Sequence, residues 1–166
     1  EYAITWAPSS FNSQSQRVII LVGTHHDKFW EGTREILRGI TPADKFESTD
    51  AKMTGFKNGF ATVLFFEDQP TIKKMEDDFP SFAAAFQPFS LQSNGMAQYI
   101  AWAGLETEGL GCSLQHYSPL VDELIQKEWG APTSWKLLAQ MVVGNPTAPA
   151  GEKTHLPIQD RVKQFK

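Results

Sequence analysis

The sequence predicts a layered α/β or α+β sandwich, because three apolar strand-like runs alternate loosely with amphipathic helical stretches. Arg17-Val-Ile-Ile-Leu-Val22 and Ala61-Thr-Val-Leu-Phe-Phe66 are near-continuous β-branched and aromatic runs, the pattern of strands buried on both faces. Trp135 to Val143 is a third run of this kind, ended by Gly144-Asn-Pro146. The length of 166 residues fits a single domain over 1–166, with enough bulk for a real core.

Taken in order, Glu1 to Ala7 reads as the last turns of an amphipathic helix without an N-cap, so an upstream segment is expected. The polar stretch Pro8-Ser-Ser-Phe-Asn-Ser-Gln14 leads into the first strand, which Gly23-Thr24 closes. From Asp27, Phe29, Trp30, Ile36, Leu37 and Ile40 share one helical face, with Lys28, Glu31, Arg34, Glu35 and Arg38 opposite. Gly39 and Pro42 mark the end of that helix, and residues 43–58 are polar with a short helix. After the second strand, Pro70 opens a short helix to Asp78. Phe79 to Phe89 is rich in Phe, Ala and Pro and lacks clean periodicity. It is either irregular core packing or a cover for a cofactor or partner chain. Ser90 to Leu105 is a long helix. Gly109 and Gly111 then permit a sharp turn and close backbone approach to a ligand, in a loop carrying Ser113, Gln115 and His116. Pro119 to Lys127 is a further amphipathic helix. The tail, 149–166, carries Lys153, His155, Arg161, Lys163 and Lys166, cannot form a core alone, and is expected to wrap a neighbour.

Composition excludes several classes. A net charge of −4 without a long basic run argues against nucleic acid as a partner. No run of about 18 apolar residues is present, so no membrane span is expected. Cys112 is the single cysteine, which rules out an internal disulfide framework and fits a reducing compartment, hence a cytoplasmic or also nuclear location. It reads as a small buried residue rather than a redox thiol, having no resolving partner. Twelve Phe and five Trp suit a core, a ligand cavity or a subunit interface.

Four stretches in this order resemble the FMN-dependent nitroreductase family, in particular its fungal and bacterial fatty-acid-repression-type branch. They are Pro-Ser-Ser-Phe-Asn-Ser-Gln at 8–14, Thr-Val-Leu-Phe-Phe-Glu-Asp at 62–68, Gly-Leu-Gly-Cys-Ser-Leu-Gln at 109–115 and Pro-Ile-Gln-Asp-Arg-Val-Lys at 157–163. The resemblance implies an α+β fold with a central, mostly antiparallel sheet flanked by helices. It implies a homodimer in which the C-terminal tail of one subunit adds a strand to the other's sheet. It also implies FMN at the dimer interface, and ping-pong passage of reducing equivalents from NAD(P)H to nitroaromatics or quinones.

Carried over residue by residue, the resemblance assigns Pro8, Ser9, Ser10, Asn12 and Gln14 to flavin contact across the dimer. Asn and Ser side chains suit the flavin's pyrimidine edge, which offers carbonyl acceptors and an N–H donor. The alternative is that Pro-Ser-Ser is a helix-terminating turn and Asn12 satisfies local backbone. The resemblance also places Leu114 on the ring face and Gln115 and His116 near the reactive nitrogen, where a donor stabilises charge on the reduced ring. Other members often carry Glu-Gly where Gln115-His116 stands, which bears on substrate preference and redox potential. His116 is either a proton donor or a stacked or capping residue. The flavin phosphate falls to Arg161 and Lys163, which would face the same way on an extended segment, with Lys153 in reserve; a solvated basic tail is the alternative. Lys52 and Lys57 are candidates for the pyrimidine edge. A second function class is a non-enzymatic regulator that senses flavin or lipid and retains the dimeric fold, motivated by 79–89 and Gln115-His116. A purely structural interaction domain rests only on aromatic content.

Overall fold

In the computed structural model of the protein, which describes residues 1–165, the three apolar runs become strands β1 (Gln16–Val22), β2 (Ala61–Asp68) and β4 (Trp135–Gly144). A fourth strand, β3 (Gly111–Gln115), occupies the stretch expected to be a loop. The sheet order is β1-β2-β4-β3 and every pairing is antiparallel. Gly111-Cys-Ser-Leu-Gln115 is extended because each residue pairs with β4, from Gly111 opposite Gly144 to Gln115 opposite Gln140. That is a non-local cause, invisible in so short a polar run.

Six α-helices lie among the described residues: α1 (Tyr2–Trp6), α2 (Thr24–Ile40), α3 (Phe46–Lys57), α4 (Gln69–Asp78), α5 (Ala83–Thr107) and α6 (Asp122–Trp129). The helix α5 starts earlier than the sequence indicates, running through Pro88. Pro88 removes one backbone donor, but the helix continues on either side of it. The helix expected from Pro119 begins at Asp122 instead, with Asp122 and Glu123 in its first turn and Gly130 as a left-handed C-cap. No helix among the described residues is long and apolar enough to cross a membrane.

Alternation along the strands divides the core in two. Leu21, Leu64, Phe66, Leu137 and Val142 face α2, α3 and α6 and pack with Phe29, Trp30, Met53 and Ile125. Val18, Val63, Phe65, Met141, Val143 and Leu114 face α5, meeting Ala101, Trp102 and Leu105. The first layer is pinned by a buried relay. His26 Nε2 faces the Lys57 carbonyl at 3.1 Å, and a carbonyl can only accept, so Nε2 carries the proton. His26 Nδ1 is then an acceptor, 2.8 Å from Thr62 Oγ1, which in turn accepts from Trp30 Nε1 at 2.8 Å.

One expectation about the sheet needs correction. The strand β1 is not buried on both faces in this chain. It is an edge strand, and Ile20 and Val22 are 54% and 48% exposed. The glycines also resolve differently from the ligand-approach reading. Gly109, at φ +82°, ends α5 in a Schellman turn: its N–H bonds Glu106 O and the Leu110 N–H bonds Leu105 O, both at 3.0 Å. Gly111 belongs to β3, where a Cβ would come within 3.2 Å of Pro146.

Candidate functional site

The loop between α1 and β1 has the most unusual backbone in the chain. Phe11, Asn12 and Gln14 all have positive φ, at 56°, 53° and 50°. For a non-glycine residue that region costs about 1–2 kcal/mol, less for Asn, and it persists only where surroundings enforce it. Two sets of contacts do so. Phe11 packs on Phe79, Phe82 and Phe86, with ring centroids at 4.7, 5.6 and 5.4 Å. At the other end, the Gln14 N–H donates to Ser9 Oγ at 3.0 Å, while Arg17 Nη1 donates to the carbonyls of Gln14 and Gln16 at 2.8 and 2.9 Å. Arg17 is itself held by Asp68 Oδ2 at 3.2 Å.

Between those anchors the loop presents Asn12 to solvent. Its backbone is engaged, with the N–H on Ser9 O at 3.0 Å. Its carboxamide makes no hydrogen bond within residues 1–165, so a donor and an acceptor stand ready for a ligand edge. The local-backbone alternative for this side chain therefore does not describe the loop. Pro8 and Ser9 follow the end of α1 at Trp6, so the helix-terminating turn is present as well. Ser10 is half-buried and Gln14 exposed, with Gln14 Nε2 3.5 Å from Asn12 O.

Beneath the loop lies a buried polar cluster that the sequence did not flag. Glu67 pairs across the sheet with Gln16, and both are buried, as are Ser15 and Asn94. Asn94 Nδ2 donates to Glu67 Oε1 at 2.8 Å and to Phe66 O at 3.0 Å, and Gln98 Nε2 donates to Asn94 Oδ1 at 2.8 Å. Ser15 Oγ, Gln16 Nε2 and Glu67 Oε2 lack a well-directed partner. Burial pushes the Glu67 carboxyl above the usual carboxylate range, against the opposing pull of neighbouring Ser15, Asn94 and Arg17; Asp68 reinforces the rise.

The second predicted group sits at the other side of the sheet. Leu114 is half-buried on the α5 face opposite Met141; Gln115 donates to Ser113 Oγ at 2.8 Å; His116 is exposed just past the strand end. Next to it, buried Gln140 accepts from the Tyr117 N–H at 2.7 Å. Cys112 is half-buried, and burial pushes its thiol up, aided by Glu106, which makes it a poor nucleophile at neutral pH.

The third group is in the tail. Residues 145–165 are all exposed, Arg161 and Lys163 among them, and Lys166 lies outside the described residues. Ile158–Asp160 form a 3-10 turn, and the Val162 N–H returns to Ile158 O at 2.9 Å. Arg161 is therefore in a turn rather than on an extended strand, so strand alternation does not make it and Lys163 face one way. Within one chain, then, the loop at 8–14, the strand end at 114–116 and the basic tail are three separate places. The loop and the strand end lie at opposite edges of the sheet, edges roughly 14 Å apart at about 4.8 Å per strand, and they are offset along it too, since Gln16 is level with Lys136 of β4 and Gln115 with Gln140.

Comparison with known proteins identifies the family and the fold. Residues 2–145 match the nitroreductase family. The putative nitroreductase HBN1 of Saccharomyces cerevisiae is 39% identical over 150 residues, covering 90% of this chain and 73% of the relative. The nitroreductase FRM2 of the same yeast is 34% identical over 149 residues, with the same coverage. Among solved structures, the nitroreductase CinD of Lactococcus lactis in complex with nicotinic acid superposes with a TM-score of 0.92 at 42% identity, covering 99% of this chain and 84% of that one. CinD in complex with 4-nitrophenol gives 0.90 at 41%, with the same coverage. With a family match over most of its length and relatives of this closeness, the chain belongs to the nitroreductase family.

Proposed function

We propose that this protein is an FMN-dependent oxidoreductase, working as a homodimer, that draws reducing equivalents from NAD(P)H and passes them to nitroaromatic or quinone acceptors. The observation that carries this reading is the enforced left-handed loop with the unengaged Asn12 carboxamide, in a chain of this family. Bound FMN would supply the chemistry itself, two-electron transfer between nicotinamide and acceptor in alternating half-reactions.

The residues of the chain bind and orient. The Asn12 carboxamide offers an NH2 donor and a carbonyl acceptor side by side, which fits the alternating edge of a flavin pyrimidine. Ser9 spends its hydroxyl on holding Gln14, so its part is to shape the loop; Ser10, Pro8 and Gln14 border the same surface. Leu114 gives an apolar surface for a ring face, and Gln115 and His116 supply polar groups beside it. Arg161 and Lys163 carry cationic charge for the phosphate and make no ion pair within residues 1–165.

Homodimerisation is supported by incompleteness of the single chain. The two ligand-facing segments stand at opposite sheet edges, so a site drawing on both is assembled most simply from two copies. The exposed apolar side chains fit the same reading: Leu91, Met96 and Tyr99 on α5, Ile20 and Val22 on the edge strand, and Leu156, Ile158, Val162 and Phe165 on the tail. The complexes of CinD with nicotinic acid, chloramphenicol and 4-nitrophenol support small aromatic molecules as the substrate class here.

The test is spectroscopic. The purified protein titrated with FMN should retain it as a yellow complex, and anaerobic NADH or NADPH should bleach the visible band, with colour returning when a nitroaromatic or quinone is added. A protein that stays colourless after FMN titration removes the proposal. One that holds flavin but turns over neither acceptor favours the sensing regulator.

A further inference from the structure

Three phenylalanines at the junction of α4 and α5 pack against the loop at 8–14. We propose that Phe79, Phe82 and Phe86 clamp the ring of Phe11 and thereby set the cofactor loop in its binding conformation before any ligand arrives. Phe11 is then a positioning residue, acting through Asn12. This inference rests on the flavin reading above.

Phe11 sits at φ 56° and ψ 22°, a region that a bulky residue occupies only when something holds it there. Its own burial does not, since the side chain is 49% exposed. What holds it is a set of three rings on one side, at 4.7 to 5.6 Å between centroids, of which Phe86 is 3% exposed and rooted in α5. The underside of the loop has no slack. The void between Ser10, Ser13 and the α4–α5 surface is about 10 Å³, room for one water at most.

The other end of the loop is fixed independently, by Ser9 and by Arg17 on Asp68. Asn12 lies between the two anchors, so the point and direction in which its side chain leaves the backbone are set by residue 11 on one side and residue 14 on the other. Without the rings, the backbone at residue 11 is free to relax to negative φ, and the following peptide rotates with it. The fraction of molecules presenting Asn12 correctly then falls, and apparent affinity falls in the same proportion. The phosphate is assigned to the tail, so FMN and riboflavin should suffer alike.

The experiment measures flavin dissociation constants by fluorescence quenching, for FMN and for riboflavin. The proteins are the unaltered chain, Phe11→Ala, Phe79→Ala, the double variant and Phe11→Tyr, each with its melting temperature. The clamp predicts FMN binding by the unaltered protein and about tenfold weaker binding of both flavins by Phe11→Ala. It predicts a smaller loss for Phe79→Ala, a double variant no worse than Phe11→Ala alone, and recovery in Phe11→Tyr. Melting temperatures should stay close together, because Phe11 and Phe79 are both partly exposed. Unchanged affinity in Phe11→Ala, or a double variant whose loss is the product of the two single losses, overturns the clamp. If Phe11→Ala does not fold, Phe79→Ala alone decides, and unaltered affinity there also overturns it. An unaltered protein that binds neither flavin removes the functional reading together with the clamp, and that result is read before any variant is compared.

Discussion

Replacing Thr62 with valine removes the hydroxyl that joins α2 to β2 inside the core. In the folded protein that hydroxyl accepts from Trp30 Nε1 and donates to His26 Nδ1, both at 2.8 Å. Thr62, His26 and Trp30 are at most 1% exposed, so no solvent replaces either bond. Valine keeps the shape and the strand preference, and the packing change is small. What changes is that one buried donor and one buried acceptor lose their partners, at about 1–3 kcal/mol each, or about 2–6 kcal/mol together. Against a typical domain stability of about 5–15 kcal/mol this is a large fraction. Urea unfolding followed by circular dichroism gives the loss directly, with an unchanged m value confirming that the unfolding transition exposes the same surface. Thr62→Ser is the control: it retains both bonds and gives up one methyl group, about 1 kcal/mol. A loss below about 1 kcal/mol for valine, or serine proving as harmful as valine, would refute the relay and the tautomer assigned to His26.

Three further outcomes follow from the site. Asn12→Ala should raise the FMN dissociation constant while shifting the melting temperature little, since its carboxamide supports nothing else within the described residues; retained FMN occupancy would count against this side chain as a flavin contact. Arg161→Ala with Lys163→Ala should weaken FMN and spare riboflavin if, as proposed, their charge serves the phosphate, and an equal loss for both ligands would show that the tail has another task. Glu67→Gln should become progressively more stable relative to the unaltered protein as pH rises. The folded carboxyl holds its proton more tightly than the unfolded one, so its contribution is most favourable below the ordinary glutamate range and is lost as pH climbs through the raised value. Melting curves taken from below the ordinary glutamate value of 4.5 upward through neutrality measure that difference, and a gap that does not grow with pH contradicts the burial argument.

What could be read from residues alone was whatever local periodicity encodes. The amphipathic pattern from Asp27 and the runs at 17–22, 61–66 and 135–143 became α2, β1, β2 and β4 because their apolar spacing matches one layered core. By contrast, β3 escaped because Gly111 to Gln115 is short and polar, and is extended only by pairing with β4, some 30 residues downstream. The start of α5 was masked by Pro88, although Phe79, Phe82, Phe86 and Phe89 recur at three- and four-residue spacing, a helical signal that the reading of this stretch as aperiodic passed over. The candidate site divides the same way. Pro8 to Gln14 was visible as a motif. Its supports were not, since Arg17 reaches Asp68 across 51 positions and Asn94 reaches Glu67 across 27. Positive φ at Phe11 had no signal in the sequence, because bulky residues ordinarily avoid it.

In the proposed function, two copies of this chain hold the flavin jointly. Sedimentation velocity of the FMN-titrated protein, followed at the visible absorption of the flavin, measures that in one run. The flavin should travel with a species of twice the chain mass, at one FMN per chain. Flavin travelling with a single chain, or remaining free at the meniscus beside an unliganded protein, would contradict it.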